Sequence, residues 1–345
     1  MSKRYPFCVI ERPYQLWGED IESDNAEFLE RTDAGFYWRA AHQLIGRPND
    51  EESKDEEDDT DKGPGPDDQE RKDIASLARL LWHHGAETLV MMLGAYMQAA
   101  GAVHGYFLKC RTQDAISIAQ YLVRGERPKY HRLVGDEFST TNLLSGIHRC
   151  AGWKAHDARV SMLCRALRSV LRDFVRDEHR HEYNSIKHGL RAHHGRFALA
   201  IGIQEAPGIQ APPEAMEFVG GSRDASFFDV AKPLRNATKQ ASKTNFMIER
   251  VSVAWSLEKT LAELQLISIL LNNSVSALRI ANGAPPGTVQ VHYVHDDEAE
   301  GFWGTYCELH PGNVPTASIG ADINARQVKL ATEKDVFASY KPPRA

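Results

Sequence analysis

From Asp157 to His188 apolar side chains return every three or four positions: Val160, Leu163, Cys164, Leu167, Val170, Leu171, Phe174 and Val175. That spacing lines one side of an α-helix with a continuous apolar stripe. The stripe predicts one long helix over 157–188. It ends where Lys187 and His188 complement the negative end of the helix dipole and Gly189 supplies a left-handed turn. A helix with so wide an apolar face does not stand alone in water, so other segments must cover it. With 345 residues, 42% of them hydrophobic, the chain is long and apolar enough to do so.

Other helices are legible on the same grounds. Phe28, Phe36, Trp38 and Leu44 give a loose helical pattern from Asn25 to Ile45, stopped by Gly46 and Pro48. Asp67 and Glu70 have capping-box spacing and predict a helix running to about Gln98. Shorter helices are expected at 113–123 and 139–150, the second capped by Ser139, Thr140 or Thr141. Leu257, Leu261, Leu264, Leu271, Val275 and Leu278 suggest a further long helix over 246–281, whose near-heptad face needs a partner.

After His188 the period falls from 3.6 to 2. Phe197, Leu199, Ile201 and Ile203 alternate with small residues, and runs near 215–219, 225–230, 288–294 and 315–319 also look extended. The expected fold is mainly α: a helical bundle with long amphipathic helices plus a small attached β-sheet, an α+β arrangement. Its expected parts are an N-terminal helical segment (1–48), an acidic linker (49–66), a helical bundle (67–195), and a sheet with the 246–281 helix (196–345), packed on the same core.

Charge is unevenly spread. Asp50 to Asp73 holds thirteen acidic and four basic residues, a net of −9, so the rest of the chain carries about +3 of the total −6. The acidic run predicts a solvated linker, or a polyanion that competes for a basic cleft. The mildly positive remainder is compatible with a polyanionic partner but lacks the basic stripe of a dedicated nucleic-acid binder. Five scattered cysteines with no C-x-x-C pair, and no apolar leader, point to reduced cytoplasm without zinc fingers. Thr88 to Leu108 has the length of a membrane span, but Gln98, His104 and three glycines favour a core helix followed by a turn, hence no membrane.

The chemistry-bearing residues gather in Arg176-Asp-Glu-His-Arg-His-Glu-Tyr-Asn-Ser-Ile-Lys-His-Gly189. On a helix, Arg176, Arg180, Tyr183 or Asn184, and Lys187 share one stripe, and His181, Asn184 and His188 form another beside it. The set resembles the HEPN superfamily, helical bundles that carry an arginine, a polar residue, and a histidine four to six positions after the arginine. Arg176-Asp177-x-x-x-His181 fits that form. An arginine followed by a histidine at five or seven positions also occurs at Arg79/His84 (five) and at Arg124/His131, Arg149/His156 and Arg172/His179 (seven). The Arg176 match differs by the acidic residue after the arginine, the amphipathic helix that carries it, and the cluster one turn on.

The resemblance implies metal-independent RNA cleavage by a dimer, of the bacterial defence or toxin type, with no cofactor. RNA supplies its own nucleophile in the 2′-OH, so a proton carrier and a cation over the phosphate suffice. His181 would move the proton, its unperturbed pKa being near 6.5, and Arg176 would hold the phosphate. Arg180, Tyr183, Asn184, Lys187 and His188 are the expected substrate-binding residues.

A plainer reading stays open. The charged helix face is solvated, its glutamates pair with neighbouring arginines, and the chain is a non-enzymatic scaffold or sensor that contacts other proteins. Fifteen histidines raise a metal site, but no H-E-x-x-H occurs, and nucleophile-elbow and dinucleotide motifs are also absent. The expected partners are RNA, a second copy of the chain, or another protein of the same system.

Overall fold

The structure, a computed structural model, describes residues 4–18, 20–45, 66–128, 139–149, 152–154, 157–188, 191–203, 211–233, 245–294 and 326–329. The acidic run up to residue 65, the extended run at 315–319 and Gly189 lie outside them. So does the side chain of Asp67, on which the capping box depends. The described part is mainly helical with small antiparallel sheets, as the hydrophobic periods require.

The chain opens with a hairpin, β1 (Arg4–Val9) and β2 (Arg12–Trp17), where the sequence pattern had suggested only helix. Its turn holds Ile10 at a φ of 59°, a left-handed conformation that branched side chains rarely adopt. A distant residue fixes it: the Gln98 amide accepts from the Ile10 N–H at 2.9 Å and donates to the Ile10 carbonyl at 2.8 Å. The single helix expected over 25–45 is two, α1 (Ile21–Arg31) and α2 (Phe36–Ile45), parted where Thr32 turns extended.

The next helices are α3 (Pro66–Gln98), α4 (Val103–Lys109), α5 (Thr112–Arg124), α6 (Thr140–His148) and α7 (Ala158–Phe174). Ser139 caps α6 as expected, its hydroxyl accepting from the Asn142 N–H. The segment from Thr88 to Leu108 is core helix, turn and α4, with Leu89, Val90, Leu93, Met97 and Tyr106 buried. In α7 the sequence stripe is the buried face from Val160 to Phe174. The long helix over 157–188 is broken, however. Arg176 N–H bonds the Asp173 carbonyl in a tighter turn, and α8 (Asp177–Lys187) starts anew, with the Arg176 carbonyl accepting from Arg180.

The second half contains β3 (Ala192–Gly202), β4 (Met216–Pro233), β5 (Asn245–Trp255), α9 (Leu257–Ala281) and β6 (Arg326–Lys329). The four strands form one antiparallel sheet in the order β3-β4-β5-β6. The helix expected over 246–281 is corrected at its start: Val251, Val253 and Trp255 alternate inward as a strand, and the heptad begins only at Leu257. The run near 288–294 forms no strand, only a single turn at Pro286–Thr288 and a segment held by side chains.

The alternation over 197–203 does belong to a strand, but Ile201 and Ile203 are 59% and 88% exposed. Pairing of β4 with β5 begins at Asp224, so among the described residues no third strand lies beside the part of β3 opposite 216–221.

Two compact units result: residues 1–180 with 257–312, and residues 181–256 with 313–345. The divisions fall inside α8 and just before α9, away from the 195/196 boundary drawn from the sequence. In the helical unit, α3 makes its most extensive helix contact with α9, and α2 and α7 pack on α9 as well. Gly85 in α3 permits the close approach, since a Cβ there would meet Ile267 and the Tyr37 ring at 3.3 Å. Among the described helices α9 is apolar and long enough to cross a membrane, yet 72% of that stretch is buried among its neighbours. Each fully buried leucine along it contributes on the order of 1.5–3 kcal/mol.

In the sheet unit the buried face carries Asp224, Ser226, Phe228, Val230, Val251, Val253 and Trp255.

Candidate functional site

Helix α8 presents the expected residues unequally. Arg176, at its N-cap, is half-buried, its Nε 3.8 Å from Glu178 Oε2. Arg180 pairs with Asp177 at 3.0 Å, one turn back. His181 is half-buried, while Asn184, Lys187 and His188 are exposed. Tyr183 is only 4% exposed, which corrects its expected place in substrate binding: its ring packs inward and meets the Lys187 ammonium at 5.2 Å. Arg176 and Arg180 belong to the helical unit, and His181 to His188 belong to the sheet unit.

Within the sheet unit, exposed polar residues occur past the helix end as well. Arg191, His193 and Arg196 are all exposed along the start of β3. With Lys187 and His188 they form a run of cationic and imidazole groups, and no acidic residue occurs between Glu182 and Glu205. Beneath it, Ser226 donates to the buried Glu182 carboxylate at 2.5 Å and accepts from Trp255 Nε1 at 3.0 Å.

A second constellation, which motif reading missed, lies inside the helical unit. Trp82 Nε1 donates to Glu263 Oε2 at 2.6 Å, and Lys259 sits between Asp173 at 3.0 Å and Glu263 at 3.7 Å. Arg79 stacks on the Trp82 ring at 4.9 Å and makes a long hydrogen bond, 3.4 Å, to His179 Nδ1. Arginine can only donate, so Nδ1 of His179 is the accepting nitrogen. His83 completes the group edge-on to Trp82. Arg79, Trp82, His83, His179 and Glu263 are buried.

Two cations face two carboxylates here, and the environment sets each proton. Burial, the largest influence on Glu263, raises its carboxyl, and Asp173 adds to this against the pull of Lys259, Trp82 and Arg79. For Asp173 burial also pushes upward, but the positive charges of Lys259 and Arg176 help to outweigh it and hold the carboxyl below its usual range. Burial draws the Lys259 ammonium down, and Glu263 and Asp173 more than offset that, so it stays charged. The group thus ties α3, the α7–α8 junction and α9 together through nearly balanced charge.

Among the described residues no group of three or more histidine, cysteine, aspartate or glutamate side chains is placed to hold a metal ion. One sequence signal pointed inward: His179, Glu182, Tyr183 and Ile186 have the spacing of a buried helix stripe, and all four are buried. No protein-family model, no curated protein and no solved structure matches the chain.

Proposed function

We propose that this chain is an RNA-binding effector of the HEPN-like kind, and that it contacts RNA through the exposed surface running from the end of α8 into β3. The carrying observation is that Lys187, His188, Arg191, His193 and Arg196 are all exposed, with no carboxylate in the sequence between them. Cations so grouped attract a phosphate backbone whatever its sequence, by releasing its counterions. Asn184 adds a neutral hydrogen-bonding amide. Metal-free cleavage, with His181 moving the proton and Arg176 holding the phosphate, is the finer part of the proposal, as is action as a dimer.

Binding of a fluorescein-labelled single-stranded RNA at rising salt tests the surface. The parent should bind with a steep salt dependence. Lys187→Glu/Arg191→Glu/Arg196→Glu should flatten the logarithmic slope by about 2, from roughly 0.7 per phosphate contact. Incubation with total RNA and EDTA tests the chemistry: 2′,3′-cyclic phosphate ends should appear with the parent and not with Arg176→Ala/His181→Ala.

Absence of salt-sensitive binding would remove the proposal and leave the second reading, a scaffold or sensor that works through protein contacts. That reading draws support from the burial of Tyr183 and from the Arg180–Asp177 pair, which already neutralises one of the expected phosphate contacts.

A further inference from the structure

Residues 289–294 follow α9 back along its own surface and are fastened there by hydrogen bonds from its side chains. Asn272 Nδ2 and Ser276 Oγ both donate to the Gln290 carbonyl, at 3.1 and 2.6 Å. Asn273 grips the next residues in a two-bond clasp: its Nδ2 donates to the His292 carbonyl at 2.8 Å, and its Oδ1 accepts from the His292 N–H at 2.7 Å. A backbone N–H can only donate and a carbonyl can only accept, so the clasp fixes which end of the Asn273 amide points where.

That fixed amide meets a buried histidine. Asn273 Nδ2 lies 2.9 Å from Nε2 of His148, and His148 Nδ1 lies 2.7 Å from the Leu144 carbonyl. The carbonyl requires a proton on Nδ1, and the amide nitrogen requires a lone pair on Nε2. The arrangement therefore accepts the neutral imidazole and no other form. A second proton would set Nε2–H against the Asn273 NH₂. The amide can answer that proton only by turning over, which places its nitrogen against the His292 N–H and its oxygen against the His292 carbonyl. Both bonds of the clasp are then lost.

We propose that residues 289–294 form a pH-released strap, held on α9 while His148 is neutral and freed when His148 takes up a proton. Among the described residues, aromatic and charged groups surround His148. Trp153 stacks on it, with ring centroids 4.9 Å apart and planes 5° apart, and Arg159 covers the Trp153 and Tyr293 rings at 4.3 and 5.1 Å. Asp157, the N-cap of α7, is the carboxylate that acts on it, and hydrogen bonds from Arg159 hold that carboxyl down to about 2, so it stays ionised throughout. His292 on the strap is exposed.

Burial lowers the His148 pKa from its ordinary 6.5 and outweighs the Leu144 bond and Asp157, which raise it. A histidine lowered in this way contributes its fastening fully above pH 6.5. The contribution is lost as the pH falls through the lower value of the folded protein. This inference is independent of the RNA reading, because Leu144, His148, Asn272, Asn273, Ser276 and residues 289–294 are not among the residues placed against RNA.

Hydrogen exchange of the full chain, followed by mass spectrometry on peptides covering 286–294, tests it at pH 7.5 and 5.0 with rates corrected for intrinsic pH dependence. The parent and His292→Asn should show the residue-292 amide, the strap N–H that the clasp holds, protected at pH 7.5 and exchanging about tenfold faster or more at pH 5.0, as loss of that hydrogen bond implies. His148→Gln should show no change with pH, and Asn273→Ala should show fast exchange at both. Equal protection of the parent at the two pH values would overturn the proposal, as would unchanged pH dependence in His148→Gln. Should that variant not fold, the ring-nitrogen shifts of His148 in the parent decide instead: a titration midpoint different from that of strap exchange refutes the mechanism.

Discussion

Replacing Lys259 with methionine removes the cation between Asp173 and Glu263 and keeps most of the side chain's volume. Breaking a buried ion pair from one side costs about 3–5 kcal/mol, because a charge stays behind without its partner. The side chains of Lys259 and Asp173 keep 23% and 19% of their exposure, so water shields part of the loss and the expected cost is about 2–3 kcal/mol. For a unit of this size that lowers the melting temperature by about 4–12 °C.

Urea unfolding followed by circular dichroism at 222 nm reads it, since the helical unit dominates that signal. The deficit should shrink as the pH is lowered. Glu263 already has its carboxyl raised, chiefly by burial, and without Lys259 it takes up a proton at still higher pH, which ends the conflict. Adding Glu263→Gln should recover part of the loss at pH 7, as the amide oxygen can still accept from Trp82 while the charge is gone. A Lys259→Met protein within about 0.5 kcal/mol of the parent, or a double variant less stable than the single one, would refute this account of the network.

Ser226→Ala removes one hydroxyl that serves both Glu182 and Trp255 in the interior of the sheet unit. It should destabilise that unit by about 2 kcal/mol, seen as an earlier urea midpoint in Trp255 emission and earlier exchange of β4 amides. Gly94→Ala drives a methyl group into the buried hydroxyl end of Tyr106. It should cost about 1–3 kcal/mol in thermal unfolding, and Tyr106→Phe in the same chain should relieve much of it.

The parts of the fold visible in the sequence are those where local pattern and tertiary environment agree. The stripe from Val160 to Phe174 is buried as its spacing requires, and Ser139 caps α6 because serine does so with neighbours alone. The hairpin at 4–17 escaped notice because its turn carries Ile10 and no glycine or asparagine, and what holds that residue is Gln98, 88 positions away. The strand ending at Trp255 was hidden by the strong heptad that follows it. In the site, the exposure of Asn184, Lys187 and His188 followed from helical geometry, whereas the inward turn of Tyr183 was carried by the stripe of His179, Glu182, Tyr183 and Ile186, which the polar character of its first two members disguises. The network of Arg79, Asp173, His179, Lys259 and Glu263 was illegible because its members come from four helices.

The placement of α9 also affects synthesis. The helical unit takes its first stretch from residues up to 180, but the helix that covers α3 most extensively ends at Ala281. Ribosomes add about 5–20 residues per second, so the roughly hundred residues between these points take about 5–20 s. Throughout that interval Trp82, Leu89 and Leu93 of α3 have left or are leaving the exit tunnel without the surface that will bury them. The nascent chain therefore carries that apolar face of α3 uncovered while β3, β4 and β5 are being made.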